Sequence, residues 1–209
     1  MATWIAHMRI AEYFMKINDK LNCIDFLIGN IAPDCGVPNE DWSKFTPDKN
    51  ITHWQLDGKN TDAEDFRKKY VKKETEGYYF YLGYYFHLLT DIAWKKVFQK
   101  PEYTERIKRD KNFIWEIKKD WYGHDHIFLQ NNPDFIFFTM FSKIKEYDNK
   151  YFDFYPKDAF SRQIQYITNF YLTARENLER EFPYMSKSEM DSFINNTVIS
   201  LKKVYDTLK

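Results

Sequence analysis

His87 and Asp91 stand one helical turn apart in the run His87-Leu88-Leu89-Thr90-Asp91. Spacing of i and i+4 puts both side chains on one helix face, where they can reach a single cation. Tyr84-Tyr85-Phe86 precede the pair and Ile92-Ala93-Trp94 follow it. A carboxylate in so apolar a stretch is costly unless it is paired or metal-bound. A core imidazole hydrogen-bonded to its own aspartate would satisfy the same pair without a metal. Three further positions extend the pattern. His7 lies on the apolar face of a first helix, Asp34 follows Pro33 at a helix end, and His53 sits among apolar residues in a long loop. Taken singly, these read as a core histidine, a turn aspartate and a half-exposed loop histidine. Taken together, His7, Asp34, His53, His87 and Asp91 make a mixed nitrogen–oxygen donor set that suits Zn²⁺ best, one or two ions, with Mn²⁺ or Fe²⁺ as alternatives.

The remaining histidines fall in Asp120-Trp121-Tyr122-Gly123-His124-Asp125-His126. Consecutive helical positions cannot all face one way. Asp125 is the first choice as an additional ligand, with His124 and His126 as further candidates or as a solvated polar stripe.

Four segments carry a resemblance: Trp4…His7, Gly29…Pro33-Asp34, Thr52-His53 and Gly83…His87…Asp91. In order and context they resemble the zinc-dependent phospholipase C superfamily, which includes bacterial phospholipases C and fungal single-strand nucleases. The family patterns are Trp-x-x-His, Gly-x-x-x-Pro-Asp, Thr-His and Gly-x-x-x-His-x-x-x-Asp. The likeness spans the first helix through Trp94. It implies that Asp34, His53, His87 and Asp91 hold one zinc and that Asp91 bridges to a second metal bound by His7. It also implies catalytic roles for Asp34, as general base, and for Asp91, as the bridging carboxylate, in a metal-assisted attack of water on a phosphoric ester. The chain departs from the secreted members in two ways. Trp4 is internal, so it offers no free amine, and after Asp91 no histidine follows until His124. A site of one or two metals is therefore expected rather than three.

Two other readings compete. A helical HD-type phosphohydrolase would use His87, His124-Asp125 and Asp158 or Asp191, leaving His7, Asp34 and His53 without a role. A non-catalytic helical scaffold would retain a vestigial metal site. For the hydrolase, the expected partner is a small phosphodiester or a phospholipid head group. Lys+Arg and Asp+Glu are both 31, a balance that excludes polyanion binding by bulk charge. Lys68, Lys69, Lys72 and Lys73 form a local basic run, usually a solvated helix face. Trp42 and Trp54 either pin the loop or meet substrate, Trp54 being the candidate substrate contact.

These residues need elements to position them. Only 6 of 209 residues are Gly while aromatics reach 20%, which favours an all-α bundle over a turn-rich β fold. The periodicity predicts helices over Thr3–Ile17, Asn22–Asn30, a short one opened by a Thr61-x-x-Glu64 capping box, and a buried central helix over Thr75–Phe98. Further helices are predicted over Thr104–Leu129 with a soft break at Gly123, Pro133–Lys145, Asp158–Glu181 and Ser186–Leu208, the last with a Ser186-x-x-Glu189 capping box. One long ordered loop, about 34–58, separates the second helix from the third. No linker or repeat divides the chain, so a single domain over 1–209 is expected, resembling the phospholipase C and P1-type nuclease fold. Neither a signal peptide nor a membrane span is evident, and Cys23 and Cys35 do not make a disulfide framework, so the expected location is cytoplasmic.

Overall fold

The computed structural model describes residues 1–21, 23–41, 43–173 and 178–208. The fold is all-α, with 64% helix and 2% strand. Helix α1 (Trp4–Ile17) opens on Thr3, whose hydroxyl accepts from the Ala6 amide at 3.2 Å. Helix α2 (Ile24–Gly29) starts after Cys23 and leads into a 3₁₀ turn over Ala32–Asp34. The long loop is ordered by a two-residue hairpin, β1 (Val37–Pro38) on β2 (Phe45–Thr46), and by a one-turn helix α3 (Lys49–Thr52). Trp42 lies outside the described residues.

Helix α4 (Ala63–Tyr70) corrects the capping expectation by one residue. Asp62, not Thr61, caps it by accepting from the Asp65 amide at 2.9 Å. Glu64 turns away to Tyr85 and Arg67. Helix α5 (Tyr78–Phe98) starts after Gly77, whose φ of 83° is left-handed and suits glycine. Its middle is buried all round: Leu82, Tyr84, Phe86 and Leu88 are fully enclosed. Each such side chain contributes roughly 1.5–3 kcal/mol of burial, and the other helices pack around this rod.

The helix expected over Thr104–Leu129 is two helices, α6 (Pro101–Arg109) and α7 (Phe113–Asn131). The break falls at Asp110–Asn112, where Asp110 accepts from the Asn112 amide at 2.9 Å and turns the chain. Gly123 continues the helix, and its bare face receives the Phe182 ring. In place of a helix over Pro133–Lys145 there is the single turn α8 (Ile136–Thr139) and a 3₁₀ turn over Phe141–Lys143. Helix α9 (Ala159–Leu172) stops well short of Glu181; residues 174–177 of that expected helix lie outside the described residues, and 178–181 are not helical. Helix α10 (Lys187–Thr207) carries the full capping box, with both Ser186 and Glu189 reciprocally bonded. No helix of the described residues is long and apolar enough to cross a membrane. Both cysteines are free thiols.

The crossing of α2 and α5 sets the functional geometry. A Cβ on Gly29 would lie 2.1 Å from the Phe80 carbonyl oxygen, and one on Gly83 would lie 2.3 Å from the Phe26 carbonyl oxygen. Two glycines therefore let the helix backbones touch, which carries Asn30 and the following Asp34 onto the face of α5 that holds His87 and Asp91.

Candidate metal centre

Four elements converge at this crossing. Helix α1 supplies His7, the 3₁₀ turn after α2 supplies Asp34, the end of α3 supplies His53, and α5 supplies His87 and Asp91. Pro33 sits inside the turn and helps fix its backbone. The Tyr155 hydroxyl donates to the Ala32 carbonyl at 2.7 Å, and the Tyr84 hydroxyl donates to the Thr52 carbonyl, pinning α3 onto α5.

The ligand atoms form two groups, His7–His87–Asp91 and Asp34–His53–His87, each with its atoms within 4.8 Å of one another. His7 Nε2 lies 3.4 Å from Asp91 Oδ1. His53 Nε2 lies 3.4 Å from Asp34 Oδ1 and 3.5 Å from Asp91 Oδ2. His87 Nε2 lies 3.5 Å from Asp91 Oδ2. These separations exceed the ~2.7–3.2 Å of an N–H···O hydrogen bond. They match the edge of a tetrahedron whose centre lies ~2.0–2.1 Å from each donor, about 3.4 Å. The Nε2 atoms of His7, His53 and His87 and Oδ2 of Asp91 are buried with no hydrogen-bond partner. Buried polar atoms are normally satisfied, and these unpartnered donors could hold a metal ion. The donor set and its spacing fit Zn²⁺.

The outer contacts orient the rings. A carbonyl can only accept, so the 2.8 Å contact between His87 Nδ1 and Asn30 O makes Nδ1 the donor and leaves Nε2 as the lone pair facing the centre. His53 Nδ1 is held by the Thr52 hydroxyl at 2.9 Å. Asp91 Oδ1 also accepts from the Ala2 amide at 2.7 Å.

The electrostatics follow the packing. Burial pushes His7 down to about 4, and the neighbouring His87 charge adds to this. Burial also opposes the protonation of His87, but Asp91 and Asp34 outweigh it and hold His87 above its ordinary value. Burial raises Asp34 and Asp91, yet both end below the ordinary carboxylate range. For Asp34 the His53 contact and the His87 charge prevail; for Asp91 the amino-terminal charge and His87 do so.

The structure places the other sequence candidates elsewhere. Asp125 lies apart from both ligand groups: Thr3 Oγ1 donates to Oδ1 at 2.9 Å and Tyr171 OH to Oδ2 at 2.6 Å. It reaches the centre only by fixing the cap of α1. His124 Nε2 bonds the Met185 carbonyl at 2.7 Å and its ring stacks on Phe182. His126 packs on Phe170 and Tyr171. None of the three belongs to either ligand group among the described residues. Asp158 pairs with Arg162, and Asp191 with Arg9 and Lys187, so among the described residues neither joins a metal-ligand group with His87 or His124. Trp54 anchors the loop. Its φ of 53° is left-handed, its Nε1 donates to Asp65 at 2.8 Å, and its ring packs on Phe66 and Tyr70.

A cavity of about 550 Å³ opens on the centre through Asp34 and Ala2. Lys49, Lys118 and Arg162 line it, with aromatic side chains from α7 and α9. Sequence reasoning missed these cations. The available signal was Lys49, one turn before His53 on the same short element. The lysines of the 68–73 run are instead exposed, Lys69 lying over the Trp54 ring. Comparison with known proteins found no matching family model, no matching characterised protein and no matching solved structure.

Proposed function

We propose that this chain is a metal-dependent phosphoric ester hydrolase acting on a small phosphodiester or a phospholipid head group. The observation that carries the reading is the set of buried, unpartnered Nε2 and Oδ2 atoms at 3.4–3.5 Å contacts beside an open cationic cavity. Asp34, His53, His87 and Asp91 would hold one ion, and His7 with the second oxygen of Asp91 would serve another. Zn²⁺ held there would supply Lewis acidity toward a phosphoryl oxygen and acidify a coordinated water. Asn30 and Thr52 orient the two imidazoles. Asp34, the cluster carboxylate that reaches the cavity, would take a proton from water attacking phosphorus. The resemblance of the His, Pro-Asp, Thr-His and His-x-x-x-Asp segments to the zinc-dependent phospholipase C superfamily supports the same chemistry.

The test is metal analysis of the purified chain followed by turnover of bis(p-nitrophenyl) phosphate. One or two zinc ions per chain are expected, with hydrolysis that a chelator removes and zinc restores. Absence of stoichiometric metal, or metal content unchanged in His87→Ala, overturns the reading.

A further inference from the structure

The cavity beside the metal centre has a lopsided charge. Lys49 from α3, Lys118 from α7 and Arg162 from α9 line it, and its one lining carboxylate is Asp34. Asp34 is already committed to His53 and the ligand cluster. Arg162 is paired with Asp158 at 3.0 Å.

The two lysines are different. Lys49 Nζ lies 3.9 Å from the Phe45 ring and 3.8 Å from Met1 Sδ. Lys118 Nζ lies 4.7 Å from the Trp115 ring. These contacts leave ammonium donors free to bond an anion. Both side chains are half-buried, burial lowers both pKa values, and Lys118 feels the repulsion of Lys49 as well as the attraction of Asp34. Two like charges facing one shielded space are mutually unfavourable until an anion sits between them. Trp4, Trp115, Tyr122 and Tyr166 add an aromatic wall to the same space, a surface for an apolar or aromatic substituent.

We propose that Lys49 and Lys118 form an anion subsite that selects phosphate esters carrying a second negative charge, foremost a dianionic monoester whose apolar or aromatic group lies on the cavity wall. A head group ending in a quaternary ammonium is disfavoured there by the same two charges. The proposal rests on the hydrolase reading and, within it, moves the preferred substrate from a diester to a monoester.

Three esters with one leaving group make the test: p-nitrophenyl phosphate, bis(p-nitrophenyl) phosphate and p-nitrophenyl phosphorylcholine, with the zinc-loaded full chain near neutral pH. The dianion is expected to exceed the zwitterion in kcat/KM by about tenfold, the worth of one charge-assisted hydrogen bond. In Lys49→Gln/Lys118→Gln that ratio falls about tenfold, whereas Lys68→Gln, an exposed charge change on α4, leaves it alone. Calorimetric binding of phenylphosphonate supplies a readout without turnover, and its affinity should fall about tenfold in the double variant. Lysine-dependent phenylphosphonate binding without hydrolysis of any ester keeps the subsite and refutes the hydrolase. Hydrolysis with an unchanged ratio in the double variant, or lysine-independent phenylphosphonate binding, refutes the subsite and leaves the metal centre standing.

Discussion

The imidazoles of His7 and His87 stack face to face, with centroids 3.8 Å apart and planes 3° from parallel. Two buried rings so close cannot both hold a proton comfortably, and the burial that lowers His7 to about 4 keeps it neutral. His87 alone belongs to both ligand groups. Because its Nδ1 is committed to Asn30, His87 has one nitrogen left for a metal, and that lone pair can bind a single ion.

The ligand assignment predicts unequal losses. His7→Ala removes one group and leaves Asp34, His53 and His87 in place, so the variant should retain one zinc. His87→Ala takes a nitrogen from the four-ligand site and leaves only His7 and Asp91 for the second, so it should retain less zinc than His7→Ala. Elemental analysis, with circular dichroism as a check on fold, separates the two. Equal zinc in both variants would contradict that assignment.

A hydroxyl outside the ligand set should matter as well. Thr52 holds His53 Nδ1 at 2.9 Å, and loss of such an outer contact typically costs about 10–100-fold in metal affinity. Thr52→Val keeps the shape and removes the bond. Zinc affinity measured against a chelating dye should fall by about that factor with thermal stability little changed. An unaltered affinity would show that the ring needs no outer support.

Much of this centre was legible in the sequence because it depends on local spacing. His87 and Asp91 share a face by helical geometry alone, and Pro33 marks where Asp34 leaves its helix. Lys49 and Lys118 were not legible, since they meet only when α3 and α7 line one cavity and no local pattern encodes that approach. The surroundings of Asp125 were not legible for a related reason: among consecutive helical positions, the face that meets Thr3 and Tyr171 is decided by packing. The break between α6 and α7 carries neither Gly nor Pro, and the polar run Asp110-Lys111-Asn112 gives it only the weak signal of an aspartate turn.

The glycine crossing should be intolerant of a single methyl. In Gly83→Ala the new Cβ would meet the Phe26 carbonyl oxygen at 2.3 Å and Asn30 Nδ2 at 3.1 Å. Backbone must move, at a cost of about 2 kcal/mol or more, although alanine is the better helix former. The shift would also draw the Asn30 carbonyl away from His87. A lower Tm and weaker zinc binding are expected together. Gly58→Ala is the comparison: its φ is +71°, yet nothing lies within 4 Å, so it should cost only ~1–2 kcal/mol of backbone strain and leave zinc binding unchanged. Equal zinc affinity in the two variants would detach the crossing from the metal centre.

Asp125 gives the fold a pH dependence separate from the metal. Burial pushes its pKa up to about 7, and the hydrogen bonds from Tyr171 and Thr3 only partly offset this. The unfolded chain releases the same proton near pH ~3.9. Between those values the folded state binds more protons than the unfolded state, so stability falls as pH rises through the window and levels off above about 7. The carboxamide that Asp125→Asn introduces cannot ionise. Metal-free wild type should therefore lose about 2–4 kcal/mol relative to Asp125→Asn as pH goes from about 4 to 8. His7 titrates identically in both proteins and cancels in the difference. Thermal denaturation of the pair across this range reads the effect directly, and a flat difference curve would mean that Asp125 is ionised in the folded protein throughout.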